Sequence, residues 1–271
     1  MSRLYPNQSG WLGWVGYFDE IDRNVVYFLN KDNDTGEKID GANVAFTYVP
    51  YQSIFDKLAA ANIQAKWLCS WREPYPKKFE KLCEEIKQLC KQNERKFIYA
   101  YWEEPDNSMH KKGVNNSEIT KIVNELQNAV EKLAGQLEDT LLLITADHGL
   151  VDGETILFHQ DQEMMDCFVR RPSMEARALN LFVKEECRSH FETLFQERYG
   201  NKFHLFPMNE VRKIGLLGIN NDHPKLDRML GNYLAVAVAD AVLRTKNEIH
   251  PADHGGLTSD EMLIPLIAVK T

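Results

Sequence analysis

The chain of 271 residues is long for one α/β domain and short for two full ones, so a single domain carrying a sizeable insertion is the first expectation. Hydrophobic residues make up 44% and charged residues 27%, which excludes collagenous, low-complexity and largely disordered classes. A net charge of −8, from 40 Asp and Glu against 32 Lys and Arg, argues against a nucleic-acid backbone binder.

No apolar run reaches the roughly 18 residues of a membrane span, and Met1 is not followed by an export signal, so a cytoplasmic protein without membrane attachment is expected. Five cysteines, Cys69, Cys83, Cys90, Cys167 and Cys187, are an odd number without zinc-ribbon spacing and suggest free thiols.

Tyr5 to Gly10 is turn-like. Val44 to Val49 has the composition of a strand, Ile54 to Ala61 that of a helix, and Ala65 to Cys69 that of a second strand. Phe79, Leu82, Cys83, Ile86, Leu89 and Cys90 recur at spacings of three and four, which predicts a helix that buries both thiols. Phe97 to Trp102 predicts a third strand. A helix follows with Asn115 as its cap and Ile119, Ile122, Val123, Leu126, Val130 and Leu133 on one face. Thr140 to Ala146 is a continuous apolar run of the kind found in central parallel strands. The expected fold is α/β, a mostly parallel sheet flanked by helices, formed by residues 1–150 and 251–271.

Beyond residue 150 the pattern changes. Strands at Arg177 to Lys184 and Phe203 to Phe206 alternate with helices at Glu185 to Tyr199 and Met208 to Ile214, which suggests a small α+β insertion over residues 151–250 acting as a cap. Tyr233 to Ala239 and Met262 to Val269 close the list of expected strands.

Two expected strands lead into cation-binding residues. Trp102 precedes Glu103-Glu104-Pro105-Asp106, with His110 and Gly113 further on, and Ala146 precedes Asp147-His148-Gly149. In open α/β sheets ligands sit at the carboxyl ends of strands. A third cluster, Asp253-His254-Gly255-Gly256, precedes the last strand. Asp106 and His110 are one helical turn apart, whereas Asp147 and His148 converge only if their strand has already ended. Mixed Asp and His donors suit zinc or manganese better than magnesium alone. Alone, Asp-x-x-x-His is a weak signal, and Asp-His-Gly serves equally as a helix cap or a turn. Three such clusters in order are much harder to dismiss.

Pro105-Asp106-x-x-x-His110-x-x-Gly113, Thr145-Ala146-Asp147-His148-Gly149 and His254-Gly255-Gly256-Leu257, with Met262 and Pro265, resemble the ordered motifs of the type I phosphodiesterase and nucleotide pyrophosphatase family, within the alkaline phosphatase superfamily. The resemblance implies two divalent metal ions, commonly zinc with manganese as the alternative. Asp106, His110 and His254 would hold one, and Asp147 and His148 would belong to the other. It also implies a small phosphoester substrate, a nucleotide among the candidates, and a Thr or Ser nucleophile that becomes phosphorylated.

In the family the nucleophile and a further metal-binding Asp precede the segment that Tyr5 to Gly10 resembles. The expectation is therefore a chain shortened at its N-terminus, with one complete ion site and impaired turnover. Ser2, the one hydroxyl residue ahead of Tyr5, lacks a strand and helix to position it. A sheet without its first strand would have its gap filled by another segment such as Val25 to Leu29, or be covered in a homodimer, or be marginally stable.

Where the family carries a phosphate-binding Asn, this sequence has Trp14, a candidate substrate contact together with Trp11, Tyr17 and Phe18. Arg170, Arg171 and Arg177 are candidates for reaching phosphate from the insertion. His159, His190, His204, His223 and His250 match no ligand motif. The rival readings are a non-catalytic metal-binding or interaction protein, and an alkaline-phosphatase-like phosphomonoesterase or phosphomutase with the same ligands.

Overall fold

The computed structural model describes residues 4–69 and 77–271; Ser2 lies outside them. The chain divides into two compact units: Met1–Tyr51, Gly153–Ile249 and Asp253–Met262 form the first, and Gln52–Asp152, His250–Ala252 and Leu263–Thr271 form the second. Residues 4–51 therefore group with 153–249, whereas the sequence expectation joined them to the segment up to residue 150. Among the described residues no helix is long and apolar enough to cross a membrane.

The first unit is built on a four-stranded antiparallel sheet in the order Phe203–Pro207, Tyr233–Ala237, Ala178–Leu181, Ser173–Glu175. Side chains alternate across a strand, and Tyr233–Ala237 shows what that does when both faces are covered. Tyr233, Ala235 and Ala237 enter a cluster with Phe191, Phe195 and Leu181. Leu234 and Val236 enter a second with Phe18, Val25, Tyr27 and Val211. The helix Arg188–Tyr199 covers the first face and Met208–Ile214 contributes to the second. Glu154–Ile156 pairs in parallel with Ala241–Leu243.

The N-terminal part of this unit contains a small antiparallel sheet of Val15–Phe18, Arg23–Val26 and Lys31–Asp32. Gly16 is required there, since a Cβ would lie 1.9 Å from the Tyr27 hydroxyl, which donates to the Gly10 carbonyl at 3.0 Å. Val44 to Val49, expected as a strand, contains the helix Val44–Tyr48. The Asn43 side chain accepts from the Phe46 N–H, a cap that overrides the β preference of the residues it precedes.

In the second unit Gln64–Cys69 and Lys96–Tyr101 pair in parallel, with Cys69 opposite Tyr101. The helices Phe79–Cys90 and Ser117–Ala134 bury Cys83 and Leu133 in one cluster with Leu137, which follows the second helix. Asn116, not Asn115, caps the second of these, accepting from Glu118 N–H at 2.9 Å. Leu141–Thr145, expected as a central parallel strand, instead pairs antiparallel with Leu266–Lys270. Its exposure alternates, and Leu141 and Leu143 face outward at 64% and 58%. The expected strand from Met262 begins at Leu266, because Ser259–Met262 is a helical turn.

Candidate functional site

Asp106 is the first residue of the helix Asp106–Lys112, entered shortly after the strand Lys96–Tyr101 ends. His110 follows one turn later on the same face, and its Nε2 lies 3.4 Å from Asp106 Oδ1. The other ring nitrogen, Nδ1, is 2.9 Å from the carbonyl of Ala252. A carbonyl only accepts, so this contact calls for a proton on Nδ1, and in the neutral tautomer Nε2 then turns its lone pair toward the carboxylate. A neutral imidazole lone pair next to a carboxylate oxygen is a donor set for a divalent cation, with the second nitrogen held by a backbone acceptor.

The glycine of this motif has a local cause. Gly113 has φ +83 at the end of the helix, and a Cβ there would sit 2.9 Å from Asp152 Oδ1. The Asp152 carboxylate accepts from Val114 N–H at 2.5 Å and from the Asn115 side chain at 3.0 Å. Asn115 thus fastens the loop after the helix.

Asp147 and His148 follow the strand Leu141–Thr145, which ends before them, so the two neighbours turn toward each other with Oδ1 and Nε2 at 3.9 Å. His148 Nδ1 is 3.1 Å from the Gly149 carbonyl. Burial raises the Tyr101 phenol, and the charges of Asp147 and Asp106 raise it further. Tyr99 is raised by burial and by Asp147. Both carboxylates therefore act on the phenol at the carboxyl end of Lys96–Tyr101, where an α/β sheet is expected to hold its ligand. His250, which matched no motif, has its ring centroid 5.5 Å from that of His110. Proximity to His254 in sequence was the one signal pointing to it.

His254 belongs to the first unit. The preceding Asp253 is 5% exposed and ion-paired with Arg244, while its Oδ1 accepts from the His254 N–H at 2.9 Å. Gly255 has φ +102, and a Cβ there would meet the Glu175 side chain at 3.0 Å. Gly256 N–H donates to Glu261 Oε1 at 2.7 Å. The His-Gly-Gly sequence is thus shaped by a backbone conformation that favours glycine and by two buried carboxylates.

Also in the first unit, the four aromatic candidates separate by burial. Phe18 and Tyr17 are buried, Trp11 is half-buried, and Trp14 is 46% exposed. Trp14 N–H donates to the Glu175 carboxylate, and its ring is 6.0 Å from that of Phe28. The arginines separate too. Arg177, a candidate for phosphate, is wholly buried and bound to Glu261, so it is a core residue. Arg170 lies over the Tyr17 ring at 3.9 Å and Arg171 pairs with Asp34 at 3.8 Å. His159 is 3.2 Å from the Arg244 carbonyl and His190 is 3.3 Å from Glu163; the His204 ring lies tilted against Phe206 at 4.0 Å between centroids. Burial lowers the His223 imidazole, whose Nδ1 accepts from Lys225 N–H.

A search of curated protein sequences finds no match. Among solved structures, human ectonucleotide pyrophosphatase/phosphodiesterase 5 is similar with a TM-score of 0.70 at 16% identity, over 98% of this chain and 73% of that one. The murine protein of the same name, in an inactive form in complex with AMP, is similar with a TM-score of 0.69 at 14% identity, over 98% and 73%. Without AMP the murine protein gives 0.66 at 14% identity, over 98% and 74%. These likenesses establish the α/β fold of the alkaline-phosphatase type. The family model described as type I phosphodiesterase / nucleotide pyrophosphatase matches residues 11–191, and the chain belongs to that family of phosphoester hydrolases.

Proposed function

We propose that this protein acts on a nucleotide phosphodiester or pyrophosphate with the help of two divalent metal ions. Asp106 and His110 with His254 would hold one ion, and Asp147 with His148 would contribute to the other. His254 lies in the other unit, so its part in the site rests on the order of the motifs. The observation that carries the reading is the Nδ1 contact of His110 with the Ala252 carbonyl, which turns Nε2 toward Asp106. Mixed imidazole and carboxylate donors favour zinc, with manganese next.

Bound ions at such a site neutralise phosphoryl charge and lower the pKa of an oxygen nucleophile. The chain's own residues set the stage for that chemistry. The Ala252 carbonyl orients the His110 ring, and Asp106 and Asp147 give the strand edge a negative charge that attracts cations ahead of an anionic substrate. The exposed ring of Trp14 offers a flat face for a base. AMP in the murine relative supports a nucleotide ligand.

Calorimetric titration of AMP tests the proposal without relying on turnover. Binding to the zinc-loaded chain that is lost after chelation and in His110→Ala supports it. Equal binding with and without metal contradicts it. Any turnover is then compared between bis(p-nitrophenyl) phosphate and p-nitrophenyl phosphate, and a preference for the monoester would replace the diesterase reading with a phosphatase one.

A further inference from the structure

Five free cysteines are distributed over the two units, and two of them meet within the first. Cys167 ends the helix Gln162–Asp166, and Cys187 ends the helical turn Glu185–Cys187 that leads into Arg188–Tyr199. The chain between them returns on itself. Val169 N–H donates to the Phe182 carbonyl at 2.7 Å, Phe168 and Val183 form an antiparallel bridge, and Lys184 N–H donates to the Cys167 carbonyl at 2.8 Å. One turn further on, Cys187 N–H donates to the Lys184 carbonyl at 3.0 Å. Lys184 Nζ also donates to the Asp166 carbonyl at 2.7 Å.

These bonds bring the two side chains to one spot. Cys167 is 3% exposed within the cluster of Phe158, Phe168 and Phe191, and Cys187 packs against that cluster while remaining half-buried. The Cys167 thiol donates to the Glu163 carbonyl at 3.4 Å, and Cys187 is close enough to act on it electrostatically. The two thiols thus sit on separate helical turns, held beside one cluster by a backbone already closed by ladder bonds.

We propose that Cys167 and Cys187 are a dithiol modification site that closes to an internal disulfide by exchange with a small-molecule disulfide of the glutathione class. The more exposed Cys187 loses its proton and attacks one sulfur of oxidised glutathione. Its S–S bond breaks, and one glutathione leaves as a thiolate that takes up the proton. Cys167 then gives up its proton and attacks the sulfur of Cys187, forming the Cys167–Cys187 bond and releasing the second glutathione. The protein loses two protons and two electrons, and one glutathione disulfide takes up both to become two thiols. Burial and the neighbouring Cys187 raise the Cys167 thiol, in keeping with its role as the second, resolving group.

The site is independent of the proposed hydrolase chemistry, since neither cysteine is among the metal or base contacts. Cys90, half-buried on the helix Phe79–Cys90 and two turns from Cys83, is the comparison thiol. The test incubates the whole native chain with oxidised glutathione, blocks remaining thiols with iodoacetamide and maps the cysteines by mass spectrometry without reduction. The expected result is a cross-linked Cys167–Cys187 peptide, reversed by dithiothreitol, with a higher thermal midpoint for the oxidised chain. Cys167→Ser is expected to stop at a mixed disulfide of glutathione on Cys187. Recovery of Cys187 in the wild-type chain as the alkylated form or as a lasting mixed disulfide would overturn the proposal. Cross-linking accompanied by a fall in the thermal midpoint would overturn it as well, because the bond would then require loss of the native packing.

Discussion

Arg177 and Glu261 form a bidentate ion pair in the first unit, with Nε to Oε1 and Nη2 to Oε2 both at 2.7 Å and neither side chain more than 1% exposed. The guanidinium is completed by the carbonyls of Ala239 and Ala241, and the carboxylate by Gly256 N–H and the Thr258 hydroxyl. The pair therefore anchors the backbone two residues after His254. Removing one partner leaves an uncompensated buried charge, at a cost of about 3–5 kcal/mol. Glu261→Gln is expected to lose stability of that order in urea unfolding, and a loss below about 1 kcal/mol would contradict the arrangement.

The same carboxyl carries a pH signature. Burial pushes its pKa up, but Arg177, Thr258 and Gly256 outweigh that and hold it below the ordinary glutamate value. A group lowered on folding contributes stability that is present above its unfolded pKa, about 4.3, and is lost as pH falls through the folded value. Acid titration of unfolding free energy is expected to show a smaller loss below about pH 4.3 in Glu261→Gln than in the wild type.

Trp14 is exposed and lies beside Phe28, so its removal leaves the core intact. Base stacking on an aromatic side chain is worth about 1–3 kcal/mol. Trp14→Ala is expected to weaken AMP binding by about five- to 150-fold with an unchanged thermal midpoint. Unchanged affinity would remove Trp14 from the binding site.

Gly113 shapes the loop after His110 through both its conformation and its contact with Asp152. Gly36 has a similar φ of +76 with nothing within 4 Å of a Cβ. Gly36→Ala is expected to cost about 1–2 kcal/mol from conformation alone, and Gly113→Ala more, together with weaker zinc binding. Equal costs in chemical denaturation would show that the Asp152 contact is easily relieved.

The helices at 79–90 and 117–134 were legible because their apolar residues repeat with helical spacing, and the Asp-His clusters because two follow expected strands and the third precedes one. Periodicity reports burial, not partners. Thr140 to Ala146 is apolar, yet its antiparallel pairing with Leu266–Lys270 depends on residues more than a hundred positions away. The Ala252 carbonyl that orients His110 is 142 residues distant and, being backbone, leaves no residue-type signal. Val44 to Val49 shows a local cap overriding composition. Arg177 shows the opposite limit, since an arginine that faces solvent and one buried in an ion pair look alike in sequence.

The pairing of Asp106 with His110 carries the metal proposal into a direct measurement. Loss of either side chain is expected to lower zinc affinity by at least about tenfold in competition with a chromophoric chelator. The most direct test is an anomalous difference map at the zinc edge from crystals of the native chain grown with zinc. A peak bonded to His110 Nε2 and an Asp106 oxygen is the predicted result. Well-ordered Asp106 and His110 side chains with no peak between them would contradict the metal-centred function.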